Sequence, residues 1–142
     1  MTLQKAIEIA TQAHQSQVDK YNAPYIMHVM RVMMRGRTEN EKIIGVLHDV
    51  VEDTPFTFED LQKEGFSDDI LAALRCLTKG EGEPYEQYIS RIKTNKLAIA
   101  VKLNDLEDNM DVRRMPQMQP KDVDRFNKYL KAYHELAKLA SQ

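Results

Sequence analysis

One stretch of the chain crowds imidazole and carboxylate groups at helical spacing: His48-Asp49-Val50-Val51-Glu52-Asp53-Thr54. At 100° per residue, Glu52 lies one turn past His48 and Asp53 one turn past Asp49, so these four polar groups share one side. Val50 and Val51 fall on the other side, with Leu47, Ile43 and Ile44. A face holding one imidazole and three carboxylates is costly to desolvate unless a cation sits in it. The segment is therefore either a metal site or a solvated acidic helix end.

The remaining histidines are His14, His28 and His134. His28 follows Pro24-Tyr25-Ile26-Met27 and is set among Met27, Met30, Met33 and Met34, so a core role stands beside a ligand role; the methionines themselves are most simply core. His14 precedes a loop and is placed to cap the first helix, and His134 reads as a surface residue of the last helix. A second acidic cluster, Asn104-Asp105-Leu106-Glu107-Asp108-Asn109, follows the apolar run Ala98-Ile99-Ala100-Val101. An aspartate directly after such a run is drawn inward, unless Asp105 simply opens an exposed helix end. Together, His28, His48, Asp49 and Asp105 would supply two nitrogens and two oxygens. That set suits a borderline divalent ion such as Mn²⁺, Fe²⁺ or Zn²⁺ and leaves positions open for water and substrate. Glu52 and Asp53 would stand unligated beside the ion, where one could take a proton from the bound water. Gly45, one turn before the His-Asp pair, has no side chain to crowd the site.

The elements that must position these groups read as helices throughout, because no stretch alternates apolar and polar residues for long. Thr2 is a candidate N-cap for a first helix through Ala13, and Gln15 to Asn22 reads as a loop. Pro24 suits the first turn of a second helix closing at Gly36. Thr38 with Glu41 opens a third helix, expected to run unbroken to Thr54, where Pro55 ends it. Thr57 and Ser67 cap two further helices, closed near Gly65 and Leu77. Lys79 to Glu83 is a polar loop, Pro84 restarts a helix, Asn95 or Lys96 begins another to about Asp111, and Met115 to Pro120 links to a last helix. The expectation is one all-α domain over residues 1–142, a bundle of about seven to eight helices.

Composition narrows the function classes. At 42% apolar and 30% charged residues the chain is an ordinary globular one. The net charge of −2 predicts no nucleic-acid or anionic-membrane partner. No apolar run approaches the ~20 residues that span a bilayer. The single cysteine, Cys76, lies in an apolar run, excludes an internal disulfide and is expected to be a buried thiol. With no signal-peptide pattern, a cytoplasmic location is expected. The sequence leaves room for a homo-oligomer.

The order His28, His48-Asp49, Asp105 resembles the HD superfamily of metal-dependent phosphohydrolases. Pro24-Tyr25-Ile26-Met27-His28, His48-Asp49-Val50-Val51-Glu52-Asp53-Thr54 and Val101-Lys102-Leu103-Asn104-Asp105 resemble more closely the hydrolase domain of the RelA/SpoT family. The likeness runs from about His14 to Asn109. That domain, also found alone as small alarmone hydrolases, removes pyrophosphate from the 3′ position of (p)ppGpp. The resemblance implies a single HD domain with His28, His48, Asp49 and Asp105 as Mn²⁺ ligands. It further implies that Glu52 and Asp53 orient and activate water, and that Lys20 and Asn109 line the nucleotide site. The sequence diverges at Asp19-Lys20, where the family usually has Arg-Lys: a guanidinium able to stack on guanine is lost and a negative charge put in its place. It diverges again at His28-Val29 and after Asp105. No histidine falls between Val50 and Asn104, so one ion is expected rather than two or three.

The resulting expectation is a metal-dependent phosphohydrolase with a phosphorylated nucleotide as substrate, foremost ppGpp 3′-pyrophosphohydrolase. Lys20 and Lys102 are candidate phosphate partners, with a surface role the alternative for Lys102. Arg125 and Tyr129 could close over a nucleotide, although helix-surface roles are the simpler reading. Competing expectations are a phosphatase or pyrophosphatase acting on another nucleotide, favoured by Asp19, and a non-catalytic nucleotide-sensing domain.

Overall fold

The computed structural model describes residues 2–142. Thr2 accepts the Lys5 N–H and starts α1 (Leu3–Ala13), whose C-cap is His14. A loop pinned by the Val18–Pro24 bridge leads to α2 (Ile26–Met34). Thr38 accepts the Glu41 N–H and opens α3 (Glu39–Leu47), which is followed by the short α4 (Val50–Asp53). A reciprocal Thr57–Asp60 capping box starts α5 (Phe58–Lys63), which closes at Gly65 with φ of 91°. Ser67 caps α6 (Asp68–Leu77), Pro84 precedes α7 (Tyr85–Ile92) and Asn95 caps α8 (Lys96–Asn109). A 3₁₀ turn (Val112–Arg114) and a proline-bearing link lead to α9 (Pro120–Ala140). Among the described residues the fold is all-α, with nine α-helical segments.

α3 is the axis of the bundle. Ile43, Ile44, Gly45, Val46 and Leu47 are all buried, and the helix packs against α1, α2, α6 and α8. A helix buried all round needs small residues where neighbours cross closely. A Cβ on Gly45 would stand 3.2 Å from the backbone of Met33, so this glycine lets α2 and α3 approach. Its role is helix crossing rather than room for the site. α8 is buried on several sides and turns Lys102, Asp105 and Asp108 inward.

Three expectations change. The helix from Thr38 does not run unbroken to Thr54: it stops at Leu47 and resumes at Val50, with Asp49 at φ −105°, ψ 1°. Consecutive residues of one helix diverge by 100°, so both side chains can aim at one point only if the backbone turns between them. The methionines of α2 are not simply core: Met33 is buried, but Met27 and Met34 are exposed. Cys76 is half-buried rather than buried. No described helix is long and apolar enough to cross a membrane.

Candidate active site

Three helices and the break after α3 bring His28, His48, Asp49 and Asp105 together. His28 Nε2 lies 3.0 Å from Asp105 Oδ1 and 3.7 Å from Asp49 Oδ2. His48 Nε2 lies 3.1 Å from Asp49 Oδ2 and 3.2 Å from Asp105 Oδ1. The ligating atoms of His28, His48 and Asp49 all fall within 4.8 Å of one another.

The opposite ring nitrogens are tied back. His48 donates from Nδ1 to the Gly45 carbonyl (2.6 Å), and His28 donates from Nδ1 to Asp108 Oδ2 (2.7 Å). A carbonyl and an ionised carboxylate can only accept, so both Nδ1 atoms carry hydrogen and both Nε2 atoms face the cluster. Burial favours neutral rings. The adjoining carboxylates overcome it, those of Asp105 and Asp108 at His28 and those of Asp49 and Asp105 at His48, and raise both histidines above their ordinary value. Two carboxylates converging on two imidazoles in a largely buried pocket form a donor set that fits one divalent cation.

Asp105 is held on both oxygens. Lys102 Nζ donates to Oδ2 at 2.8 Å and Asn109 Nδ2 to Oδ1 at 3.0 Å. Burial alone would raise its carboxyl, but Lys102 and His48 hold it well below the usual range. Lys102 is thus a buried partner of Asp105 rather than a surface lysine. Tyr25 donates to Asp49 Oδ2 (2.5 Å) and reaches Asp53 Oδ2 at 3.4 Å. Glu52 accepts the Lys79 N–H at 2.8 Å. Desolvation in the cleft, then the like charges of Asp49 and Glu52, push Asp53 up to about 6; Glu52 is also raised, first by desolvation.

The cluster opens into a cleft with two lobes that share Tyr25, Asn109 and Tyr129. One, of 310 Å³, is lined by Asp19, Lys20, Tyr21, His28, Arg114 and Arg125 among others. The second, of 280 Å³, is lined by Asp49, Glu52, Asp53, Lys79, Tyr85, Tyr88, Lys102, Asp105 and Lys128. Larger hollows of 460 and 480 Å³ lie elsewhere, but none gathers convergent imidazoles and carboxylates.

Among curated proteins, the guanosine-3′,5′-bis(diphosphate) 3′-pyrophosphohydrolase of Aquifex aeolicus is 30% identical over 120 residues, covering 76% of this chain and 17% of that protein. The bifunctional (p)ppGpp synthase/hydrolase SpoT of Escherichia coli is 27% identical over 132 residues, covering 83% and 18%. The chain therefore spans less than a fifth of the length of these curated relatives. No family model matches the sequence. A solved structure, described as a metazoan ortholog of SpoT that hydrolyses ppGpp, superposes with a TM-score of 0.78 over 97% of this chain and 89% of its own, at 24% identity. The chain belongs with the HD domains of the RelA/SpoT family.

In this RelA/SpoT-type HD domain the other expected residues fall at the cleft. Lys20 and Asn109 line the first lobe and Lys102 the second. Glu52 and Asp53 stand beside the cluster. Arg125 and Tyr129 also line the cleft, so their expected helix-surface roles give way to cleft-lining ones. Asp19 stands at the wall of the first lobe, but its negative charge is matched by the protein itself. Its Oδ1 accepts the N–H groups of Tyr21 (2.8 Å) and Ala23 (3.0 Å), and its Oδ2 accepts from Arg114 Nη2 (3.0 Å). Burial works against this carboxyl, yet the Ala23 and Arg114 hydrogen bonds keep it below its ordinary value. A guanidinium thus lines the lobe after all, delivered from the 3₁₀ turn.

Two further groups had not been singled out. Asp108, fully buried, accepts from His28, Arg31 and Arg114 and lies 3.4 Å from Arg35. Nothing local in the sequence marks it, because its partners come from α2 and the 3₁₀ turn. Gln17 bridges His14 Nδ1 (2.9 Å) and the Asp53 carbonyl (2.8 Å), so His14 is buried beside the site as well as capping α1.

Proposed function

We propose that this chain is a metal-dependent phosphohydrolase that converts ppGpp to GDP and pyrophosphate, using one divalent ion, foremost Mn²⁺. The observation that carries the reading is the convergence of His28, His48, Asp49 and Asp105 beside Glu52 and Asp53 in a cleft edged by cations. The names of the relatives supply the nucleotide.

In this reading His28, His48, Asp49 and Asp105 hold the ion, with Asp108 and the Gly45 carbonyl orienting the rings. When bound, the ion supplies Lewis acidity toward a phosphoryl oxygen and the attacking water. Asp53, titrating near 6, and Glu52, steadied by the Lys79 N–H, are placed to accept a proton from that water. Water oxygen bonds to phosphorus, the bond from phosphorus to the ribose 3′ oxygen breaks, and the proton taken up by the carboxylate passes to that oxygen. Lys20, Asn109, Arg125 and Tyr129 line the lobe available to the nucleoside.

A second reading keeps this chemistry and changes the nucleotide. It is favoured by the Asp19–Arg114 pair, which delivers the lobe's guanidinium from a different element than the family's Arg-Lys step. The deciding experiment is ppGpp hydrolysis with added Mn²⁺, followed by release of pyrophosphate and GDP. Release that disappears on chelation and in Asp49→Ala is expected, while Glu52→Ala should retain the ion and lose most turnover. Metal-loaded protein that leaves ppGpp intact would move the substrate to another phosphorylated nucleotide, and full activity in Glu52→Ala would remove Glu52 as a base.

A further inference from the structure

Two tyrosines one turn apart on α7 are treated differently by the fold. Tyr88 is buried and donates its hydroxyl to the Leu77 carbonyl at 2.9 Å. The Tyr85 hydroxyl is out of reach of solvent and has no hydrogen-bond partner, one of two such side-chain atoms among the described residues. Buried polar groups in folded proteins are ordinarily paired, and an orphan destabilises the fold. A phenol left this way at the wall of a cleft is a donor waiting for an acceptor that the protein itself does not provide.

The surroundings say what acceptor fits. Tyr85 lines the lobe that holds Asp49, Glu52, Asp53 and Asp105. Burial pushes its phenol up to about 12, so it stays protonated and can only donate at neutral pH. Lys128 Nζ stands 4.5 Å from the centre of its ring and makes no salt bridge with a described residue. Lys102, the ammonium acting on the phenol, is already taken by Asp105. An ammonium over the ring face and an unpaired hydroxyl, on two residues that line one lobe, match the non-bridging oxygens of a phosphate chain. Lys128 is exposed on a long stem, so its ammonium can turn from the ring face to a ligand in the lobe.

We propose that the Tyr85 hydroxyl, with the Lys128 ammonium, binds the departing diphosphate, making Tyr85 a substrate-binding residue of the second lobe. This rests on the proposed hydrolysis for its nucleotide, but not for the diphosphate chemistry itself. The test compares wild type, Tyr85→Phe and Lys128→Met for binding of inorganic pyrophosphate, with manganese in excess over pyrophosphate, and for melting temperature without ligand or metal. Removing an orphan hydroxyl should leave the free protein as stable as wild type or more so, while pyrophosphate binding weakens about tenfold, the worth of one charge-assisted hydrogen bond. Lys128→Met should weaken pyrophosphate binding too. Loss of stability in free Tyr85→Phe, unchanged pyrophosphate binding in that variant, or no pyrophosphate binding by wild type would each overturn the inference. Wild type that binds pyrophosphate through Tyr85 yet leaves ppGpp intact would refute the proposed substrate and keep this assignment.

Discussion

Asp108 gathers His28, Arg31, Arg35 and Arg114 around one carboxylate with no exposure to solvent. Burial alone would raise its pKa, but His28 and Arg31 hold it well below the usual range, so it is a permanent anion that fixes the His28 ring. Asp108→Asn keeps the shape and removes the charge, leaving three guanidinium groups short of a counter-ion. Divalent-ion affinity should fall about 10–100-fold and the fold should lose about 3–5 kcal/mol, read by calorimetry and by denaturant titration. The histidines and aspartates of the cluster could be read from sequence because His48 and Asp49 are adjacent and His28 and Asp105 follow apolar segments. Asp108 could not, since an aspartate beside Glu107 and Asn109 looks like a solvated helix end. The Asp19–Arg114 pair joins residues far apart in sequence and leaves no local signature.

At the level of elements, the Lys79–Glu83 loop matters because its Lys79 N–H steadies Glu52. Arg91 of α7 staples that loop: Nε and Nη2 bind Glu83 at 2.8 Å, Nη2 reaches the Thr78 carbonyl at 2.9 Å and Nη1 the Arg75 carbonyl at 3.0 Å. Hydrogen bonds from Arg91, then from the Gly80 N–H, draw the Glu83 carboxyl down to about 2 from an ordinary 4.5. A depressed folded-state pKa contributes stability that is present above 4.5 and is lost as pH falls toward 2. Glu83→Gln should therefore melt below wild type at neutral pH, with the difference closing across that window in a series of thermal scans. Helix starts were legible because Thr2, Thr38, Thr57, Ser67 and Asn95 each accept an N–H of the first turn, a chemistry local to a few residues. The break between α3 and α4 was not, because it follows from where His28 and Asp105 stand, not from local propensity.

On the scale of the whole molecule, a net charge of −2 hides a dipolar surface. Lys20, Arg125, Lys79 and Lys128 edge a cleft whose floor is acidic. For the proposed nucleotide, such a rim would act as a guide over distances comparable to the Debye length of ~10 Å at 0.1 M salt. KM for the nucleotide should rise several-fold from low to high ionic strength while kcat holds, in steady-state assays across a salt series. The order of the proposed ligands along the chain has a different consequence. They run from residue 28 to residue 105, on α2, at the end of α3 and on α8. No short segment can assemble the set, so a chain must bring distant helices together before an ion finds more than one of them. In the proposed reading, ion binding comes late in folding and resists the return journey: added Mn²⁺ should slow unfolding and leave the refolding rate unchanged in stopped-flow measurements.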